Sequence, residues 1–321
     1  MSEQSIRIAT RSSNLALWQA EHVAKLLRDV SPDRMVELVQ VSTAGDRDQS
    51  EPLHKLGGFG LFTREVQKYV QDGRADLAVH SLKDLPTDMV DDLTLAAVPE
   101  RGSMFDVLVL PAKLITEIDP EKPLDGLSQE ARIGTGSPRR QAQLLYHRSD
   151  LNVTGVRGNV ETRLRKLDEG QFDALVLAEA GLRRLNHENR ISAILQPPLL
   201  YPAVGQGALG IECRSDDEET LSLLSQIIDS ATFSAVKAER TLLAELQAGC
   251  HAPLGVSTSY HSNQLTLEAV VLSHEGTQRL HAEFTGEMDD PVSIGRQVAE
   301  KLQQQGAEKL VEAAKQNART Q

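Results

Sequence analysis

The first candidates for chemistry are four polar side chains that follow a short apolar run. His80, Ser81, Lys83 and Asp84 come after the run Asp76-Leu77-Ala78-Val79, which is apolar from Leu77 onward, and a proline then prevents a strand from continuing. The pattern predicts a buried strand that ends in a polar loop, the place where open α/β sheets bind their ligands. A capped turn, in which Ser81 and Asp84 bind local backbone amides, explains these residue types equally well.

A second group of candidates is a set of cations in the middle of the chain. Residues 132–190 contain eleven Lys or Arg against seven Asp or Glu, so this segment is +4 and the remainder of a chain of net charge -12 is -16. Arginine forms bidentate bonds to carboxylate or phosphate and keeps its charge. The segment therefore favours an anionic ligand, although we expect Arg165, Lys166 and Arg190 to form an ordinary solvated face.

Alternating strands and helices position both groups. Residues 6–9 and 36–41 read as strands, and a helix between them has one apolar face, made by Ala16, Ala20, Val23, Leu27 and Val30. Another helix covers residues 62–70, so the pattern predicts a parallel sheet. Arg11 and Ser13 lie at the start of the first helix and suit an anion there, or serve as an ordinary cap. The glycines around Phe59, at residues 57–60, indicate a mobile flap.

The first half of the chain is repeated in the second. Residues 8–12 resemble residues 133–137, each before a helix that contains Gln-Ala, and residues 72–79 resemble residues 169–176. The chain is therefore predicted to contain two related α/β lobes with a central cleft between them. Lys83 and Asp84 would lie on one wall of this cleft. The arginines would lie on the other, namely Arg139, Arg140, Arg157 and Arg163.

The remainder of the chain predicts a return to the first lobe and then a separate domain. Residues 201–214 read as a glycine-rich crossing and a strand, in which Cys213 is a core thiol. A helix with Ala235, Ala238, Leu242 and Leu246 on one face is predicted to end at Gly249 in a left-handed cap. Three strands at 256–260, 265–272 and 279–285 predict an antiparallel sheet, followed by one final helix from Pro291. Cys250 lies beside the helix end, where a cysteine is more often incidental than chemical.

Composition excludes several classes of function. No apolar run is long enough to span a membrane, and no export signal precedes the first strand, so we expect a cytoplasmic protein without a membrane partner. The negative charge argues against nucleic acid as a partner. Two cysteines and nine scattered histidines have no metal-ligand spacing, so we expect no metal site.

Five motifs together resemble the porphobilinogen deaminase family, and the resemblance covers nearly the whole chain in order. The motifs are His-Ser-Leu-Lys-Asp-Leu-Pro-Thr at 80–87, Gly-Thr-Gly-Ser-Pro-Arg-Arg-Gln at 134–141, Val-Arg-Gly-Asn-Val-Glu-Thr-Arg at 156–163, Pro-Ala-Val-Gly-Gln-Gly at 202–207 and Gly-Cys at 249–250.

The resemblance implies a transferase that joins four porphobilinogen units, with loss of ammonia, into a linear tetrapyrrole, hydroxymethylbilane. It implies growth on a dipyrromethane cofactor attached through a thioether to Cys250. Asp84 would be the catalytic residue, because it would stabilise the cationic pyrrole nitrogen and would also contact the cofactor. The other cofactor-binding positions are Lys83, Ser137, Arg139 and Arg140. The substrate-binding positions are Arg11, Ser13, Arg157, Arg163 and Arg184.

The implied fold has two lobes like those of periplasmic binding proteins and a C-terminal α+β domain. We expect the first lobe at 1–105 and 203–225, the second at 106–202 and the C-terminal domain at 226–321, in a monomer. The chain departs from the family pattern at Phe59, at Ala248 and at residues 103–106. A two-lobed carboxylate-binding receptor is an alternative function, and so is the effector-binding module of a transcription regulator. The receptor needs an export signal and the regulator needs a DNA-binding domain.

Overall fold

The computed structural model describes residues 5–41, 61–88, 90–112, 118–119, 121–249 and 251–320. The described strands are β1 (Ile6–Arg11), β2 (Val36–Val41), β3 (Leu77–Ser81), β4 (Leu93–Ala97), β5 (Asp106–Val109), β6 (Arg132–Gly134), β7 (Asn152–Thr154), β8 (Ala174–Ala178), β9 (Ala193–Leu195), β10 (Leu209–Arg214), β11 (Leu254–His261), β12 (Gln264–Leu272) and β13 (Arg279–Glu287). The described α-helices are α1 (Asn14–Val30), α2 (Leu61–Gln71), α3 (Pro138–His147), α4 (Val160–Asp168), α5 (Glu179–Arg184), α6 (Glu218–Ser225), α7 (Ser230–Glu245), α8 (Pro291–Gln304) and α9 (Ala307–Thr320). No described helix is long and apolar enough to cross a membrane.

The chain divides into two compact units. The first comprises Met1–Gly102 and Ala208–Phe233, and the second comprises Ser103–Gly207 and Ser234–Gln321. The first unit contains lobe 1, and the second contains both lobe 2 and the C-terminal domain. The finer three-domain boundaries and the cleft between the lobes stay predictions.

Lobe 1 is a five-stranded sheet with helices on both faces. Its strand order is β2-β1-β3-β10-β4. Alternate residues of one strand face opposite sides, so Ile8 packs with the apolar face of α1 while Ala9 packs with Val66 and Val70 of α2. As predicted, the segment after residue 201 returns to this sheet as β10. However, β10 is antiparallel to β3 and β4, so the predicted parallel sheet is mixed.

Lobe 2 repeats this plan. Its strand order is β7-β6-β8-β5-β9, with β5 antiparallel to β8 and β9. The sequence repeat is confirmed in atomic detail. Arg7 binds Asp76 through its backbone N–H and its guanidinium, and Arg132 binds Asp173 in the same way. Gly73 and Gly170 both take the left-handed conformation, each just before β3 or β8.

The C-terminal domain is the predicted three-stranded antiparallel sheet, in the order β11-β12-β13. Its core is formed with α7, α8 and α9, through side chains such as Leu242, Val298 and Val311. Two predictions are wrong here. The left-handed residue after α7 is Gln247 rather than Gly249, and the final helix is broken into α8 and α9 at Gly306, whose φ is +94°.

The sheet of the C-terminal domain packs against α3 of lobe 2. Ala142 and Tyr201 form one apolar cluster with Val270 and Leu272 of β12. Gly276, in the turn between β12 and β13, approaches α3 so closely that an added Cβ would lie 2.5 Å from the carbonyl oxygen of Ala142. The position of α3 is therefore fixed by the C-terminal sheet as well as by lobe 2.

Candidate functional site

The predicted site residues of lobe 1 gather at one edge of its sheet. Because β1 and β3 are parallel, Arg11 at the end of β1 and Ser81 at the end of β3 reach the same edge. Ser13 is the N-cap of α1, and its side chain accepts a hydrogen bond from the backbone N–H of Ala16. Lys83 and Asp84 belong to a 3-10 turn, Leu82–Asp84, that follows β3 directly.

The turn that carries Asp84 is held without side-chain caps. Leu82 and Leu85 are buried, and the backbone N–H of Leu85 donates to the carbonyl oxygen of Leu82. Ser81 makes no capping bond and instead accepts from Gln19 Nε2 at 2.7 Å. Asp84 is exposed, and within the described ranges its carboxylate bonds to no backbone amide. The capped-turn alternative is therefore not supported for Asp84.

His80 belongs to the same motif but does not reach the exposed edge. It is buried, and its Nε2 lies 3.0 Å from Oε2 of the buried Glu212 on β10. Gln67 Nε2 donates to both oxygens of the same carboxylate, at 3.2 and 2.9 Å. His80 and Gln67 thus lie around the buried carboxylate of Glu212, where a polar group needs polar neighbours.

Lobe 2 also collects its predicted site residues at the carboxyl edge of parallel strands. Ser137, after β6, is the N-cap of α3 and accepts from the backbone N–H of Arg140. Arg157 is exposed after β7, and Arg163 on α4 donates from Nε to the carbonyl oxygen of Gly158. Arg184, at the end of α5, donates to the carbonyl oxygen of Gly207 at 2.7 Å, and burial lowers its pKa to about 10.

Arg139 and Arg140 differ from the other arginines because they are buried, with exposures of 4% and 5%. Both form ion pairs of 2.7 Å with Asp106, the first residue of β5, whose side chain is fully buried. Burial acts to raise the pKa of Asp106, but the charges of Arg139 and Arg140 outweigh burial and hold this pKa well below its usual range. Burial lowers the pKa of Arg139, which the charge of Asp106 opposes.

The sequence predictions gave no role to Asp106 or Gln206 of this cluster, nor to Glu212 of lobe 1. Asp106 accepts from Gln206 Nε2 at 2.9 Å, and Arg139 Nη1 also donates to the carbonyl oxygen of Tyr201. The signal for Asp106 was its place at the head of an apolar run, since a charge in a buried strand needs a partner. Glu212, inside the apolar run of β10, carried the same signal.

Of the two cysteines, Cys213 is among the described residues and Cys250 is not. Cys213 is fully buried on β10, and burial raises the pKa of its thiol to about 12, so it is a core residue as predicted. Cys250 lies outside the described residues, in the connection between α7 and β11. The glycine-rich segment at residues 57–60 also lies outside them.

The fold and the strand-edge loops define a class of protein. The chain consists of two α/β lobes whose mixed sheets have one strand order, each with polar residues where its parallel strands end, and of an added α+β domain. Among solved structures, the BvgS VFT2 domain of Bordetella pertussis is similar with a TM-score of 0.41 and 17% identity, covering 74% of this chain and 92% of that one. The sulphonate-binding protein SsuA of Escherichia coli has a TM-score of 0.39 and 13% identity, covering 77% and 71%.

Sequence comparison specifies the family. The family model for the porphobilinogen deaminase dipyromethane cofactor binding domain matches residues 6–222, and the model for the C-terminal domain of porphobilinogen deaminase matches residues 233–304. Porphobilinogen deaminase of Brevibacillus brevis is 45% identical over 97% of this chain and 98% of its own length. The enzyme of Syntrophotalea carbinolica is 42% identical over 98% and 97%. The chain belongs to the porphobilinogen deaminase family.

The described residues fit the dipyrromethane group that the family carries. Each of its two pyrrole rings bears an acetate and a propionate, so its binding site needs cationic donors. Within the part of the chain that the structure describes, Nε of Arg139 is buried and has no hydrogen-bond partner. A buried donor without a partner is costly, and a carboxylate oxygen would satisfy it.

Proposed function

We propose that this protein is a hydroxymethylbilane synthase, which joins four porphobilinogen units head to tail and releases one ammonia at each addition. The observation that carries the proposal is the match to porphobilinogen deaminases over nearly the whole chain, including both family domains. The chemistry of the strand edges supports it, because a polypyrrole that gains two carboxylates with each unit requires many arginines. No described feature favours the carboxylate-binding receptor.

Asp84 is the proposed catalytic residue. Its carboxylate is exposed at the end of β3 and is not engaged by a backbone amide of the described turn. A fixed negative charge there stabilises the positive charge that develops on the pyrrole nitrogen when the amino group leaves as ammonia. The same carboxylate can accept the proton that the pyrrole ring loses when the new carbon–carbon bond is complete.

The cationic residues are proposed to hold carboxylates. Arg11, Ser13, Arg157, Arg163 and Arg184 bind the incoming porphobilinogen and the growing chain. Lys83, Ser137, Arg139 and Arg140, together with Asp84, hold the dipyrromethane. The bound group supplies the covalent primer from which the tetrapyrrole is extended.

Cys250 is the proposed attachment point. A thioether requires a thiol that the pyrrole can reach, and Cys213 is fully buried in the sheet of lobe 1 with a raised thiol pKa. We also propose that the enzyme is a cytoplasmic monomer without a metal, nucleic acid or membrane partner. Its three domains follow the boundaries given above.

Intact mass under denaturing conditions tests this proposal. The purified parent should carry one extra mass equal to a dipyrromethane, and it should consume porphobilinogen with release of ammonia. Cys250→Ser should lose both the extra mass and the activity. Cys213→Ser is the matched control and should keep both. Active protein of unmodified mass, or an adduct that persists in Cys250→Ser, would refute the attachment.

A further inference from the structure

Arg139 and Arg140 are adjacent and equally buried, but their guanidinium groups are engaged differently. All three nitrogens of Arg140 donate: Nε and Nη2 to Asp106 at 3.0 and 2.7 Å, and Nη1 to the carbonyl oxygen of Val176 at 2.9 Å. The described bonds of Arg139 all come from Nη1, and its Nε has no partner there. Every guanidinium nitrogen of Arg140 is therefore engaged, whereas Nε of Arg139 is an unused donor.

Asp106 is the residue that creates this difference. Its Oδ1 accepts from Arg140 and Gln206, and its Oδ2 accepts from Arg139 Nη1 at 2.7 Å. Gln206 is itself fixed, because its Nε2 also donates to the carbonyl oxygen of Met104 at 2.7 Å. A carboxylate held from both sides cannot rotate, so it determines how the guanidinium of Arg139 is turned.

The charge of the cluster points to an anion that completes it. Two guanidinium groups share one carboxylate, which leaves one positive charge inside the protein, and such a charge is costly without a counterion. Nε of Arg139 lies on the edge of the guanidinium that can bind a carboxylate in bidentate fashion. A ligand carboxylate at this edge would satisfy both the charge and the donor.

We propose that Asp106 is a positioning residue, which binds Nε and Nη2 of Arg140 and holds Arg139 through Nη1, so that Nε of Arg139 is directed at a carboxylate of the dipyrromethane. The proposal rests on the proposed function. It assigns the two arginines different parts in the same cofactor site: Nε of Arg139 meets the ligand carboxylate, and Arg140 in addition fixes the Asp106 that orients Arg139. Asp106 itself touches no ligand.

The test measures how fast the cofactor is acquired in an Arg140→Met background, so that any direct contact of Arg140 with the ligand is absent throughout. Parent, Arg140→Met and Asp106→Asn/Arg140→Met are expressed in cells that cannot make porphobilinogen. Each is then mixed with porphobilinogen, and the rate at which the adduct mass appears is followed, with melting temperatures recorded. Glu212→Gln is the control for the loss of a buried carboxylate, because Glu212 is likewise a buried acid on an antiparallel strand, β10.

A positioning role and a purely electrostatic role predict opposite changes in the rate of adduct formation. If Asp106 positions Arg139, the double variant should gain the adduct about tenfold more slowly than Arg140→Met, which is the loss expected when one charge-assisted hydrogen bond is misaligned. If Asp106 only neutralises charge, the double variant is the more positive protein and should gain the adduct faster. An equal or faster rate overturns the inference.

The control and the parent separate the remaining outcomes. Glu212→Gln should load at a rate close to the parent's, even if it melts at a lower temperature. Loading that falls with melting temperature in all variants would mean that Asp106 is only structural, and the inference would be wrong. A parent that gains no adduct would overturn the proposed function and this inference with it.

Discussion

Lobes 1 and 2 share one framework but differ in the partners of a buried carboxylate. In each lobe the antiparallel strand carries it: Glu212 on β10 and Asp106 on β5. Glu212 is bound by the amide of Gln67 and faces the imidazole of His80, whereas Asp106 is bound by two arginines and an amide. The same framework therefore holds a surplus of positive charge around the buried carboxylate of lobe 2 but not, among the described contacts, around that of lobe 1.

The difference shows how a repeated fold supplies two kinds of chemistry. Lobe 1 presents an exposed acid, Asp84, on a turn held by backbone and apolar contacts. Lobe 2 presents a cation whose orientation depends on a buried acid. The framework residues, such as the Arg7–Asp76 and Arg132–Asp173 pairs, are the same in both lobes. The chemistry thus resides in the strand-end loops and in the antiparallel strand.

The largest effect is expected from removing the acid of lobe 1. Asp84→Asn keeps the size of the side chain but not its charge, so porphobilinogen turnover should fall roughly a hundredfold, about 3 kcal/mol in the barrier. The melting temperature should not change, because Asp84 is exposed. Asp84→Glu keeps the charge but displaces it, and its turnover should lie between those of the parent and Asp84→Asn.

Turnover and thermal melting of the three proteins should be compared after mass analysis shows that each carries the cofactor. Near-parental turnover of Asp84→Asn would contradict the catalytic role. A loss that follows a lowered melting temperature would show that Asp84 stabilises the turn instead.

The second-largest effect is expected to distinguish Arg139 from Arg140. The described bonds of Arg139 come from one nitrogen, which a lysine ammonium can imitate, whereas those of Arg140 come from three nitrogens. Arg139→Lys should therefore slow cofactor loading about tenfold with little loss of melting temperature, because an ammonium lacks the bidentate edge. Arg140→Lys should lower both. Arg165→Lys, at an exposed position 3.9 Å from Glu169, should change neither. Equal effects in all three variants would contradict the division of tasks.

The smallest effect is expected from breaking the two framework ion pairs, Arg7–Asp76 and Arg132–Asp173. The side chain of Asp76 is 16% exposed and that of Asp173 is 42% exposed. Asp76→Asn should reduce the free energy of unfolding by about 1 kcal/mol and Asp173→Asn by less, because solvent weakens exposed pairs. Urea unfolding at pH 7 measures both, and a larger loss in Asp173→Asn would contradict the similarity of the pairs.

The cost of Asp173→Asn should also depend on pH. The hydrogen bond from Arg132 lowers the pKa of Asp173 in the folded protein. The pair therefore contributes its full stability above the unfolded pKa of about 4, and this contribution is lost as the pH falls through the folded pKa. The difference from the parent should be constant from pH 7 to about 5 and should shrink at lower pH. A difference that grows with acid would contradict this.

Local patterns predicted the framework well because they report which residues are buried and where the chain turns. The repeat of residues 72–79 at 169–176 predicted two lobes, and the short turns after residue 256 predicted the antiparallel sheet. Apolar periodicity cannot state strand direction, so the antiparallel entry of β5 and β10 was missed. Gln247 takes the left-handed conformation that Gly249 was expected to take, because residue type biases a cap without fixing its position.

The site was predicted as a set of residues but not as an arrangement. Arg139 and Arg157 look alike in the sequence, yet one is buried and the other is exposed. Their difference depends on Asp106, which comes from a strand far from both in the sequence. His80 appeared to belong with Asp84, but strand alternation directs it inward to Glu212. Such contacts between distant elements are not encoded in local spacing.

The place of β10 in lobe 1 has a consequence for how the protein is synthesised. Gln67 and Glu212 are 145 residues apart in the chain, and β10 separates β3 from β4 in the finished sheet. While the ribosome makes lobe 2, β3 and β4 therefore have no neighbour at the edges that β10 will occupy. Open strand edges invite pairing with other chains. The five described strands of lobe 2 lie between residues 106 and 195, so lobe 2 can complete its sheet before lobe 1 does. The open edges of β3 and β4 are covered only when β10 has been synthesised and has entered the sheet of lobe 1.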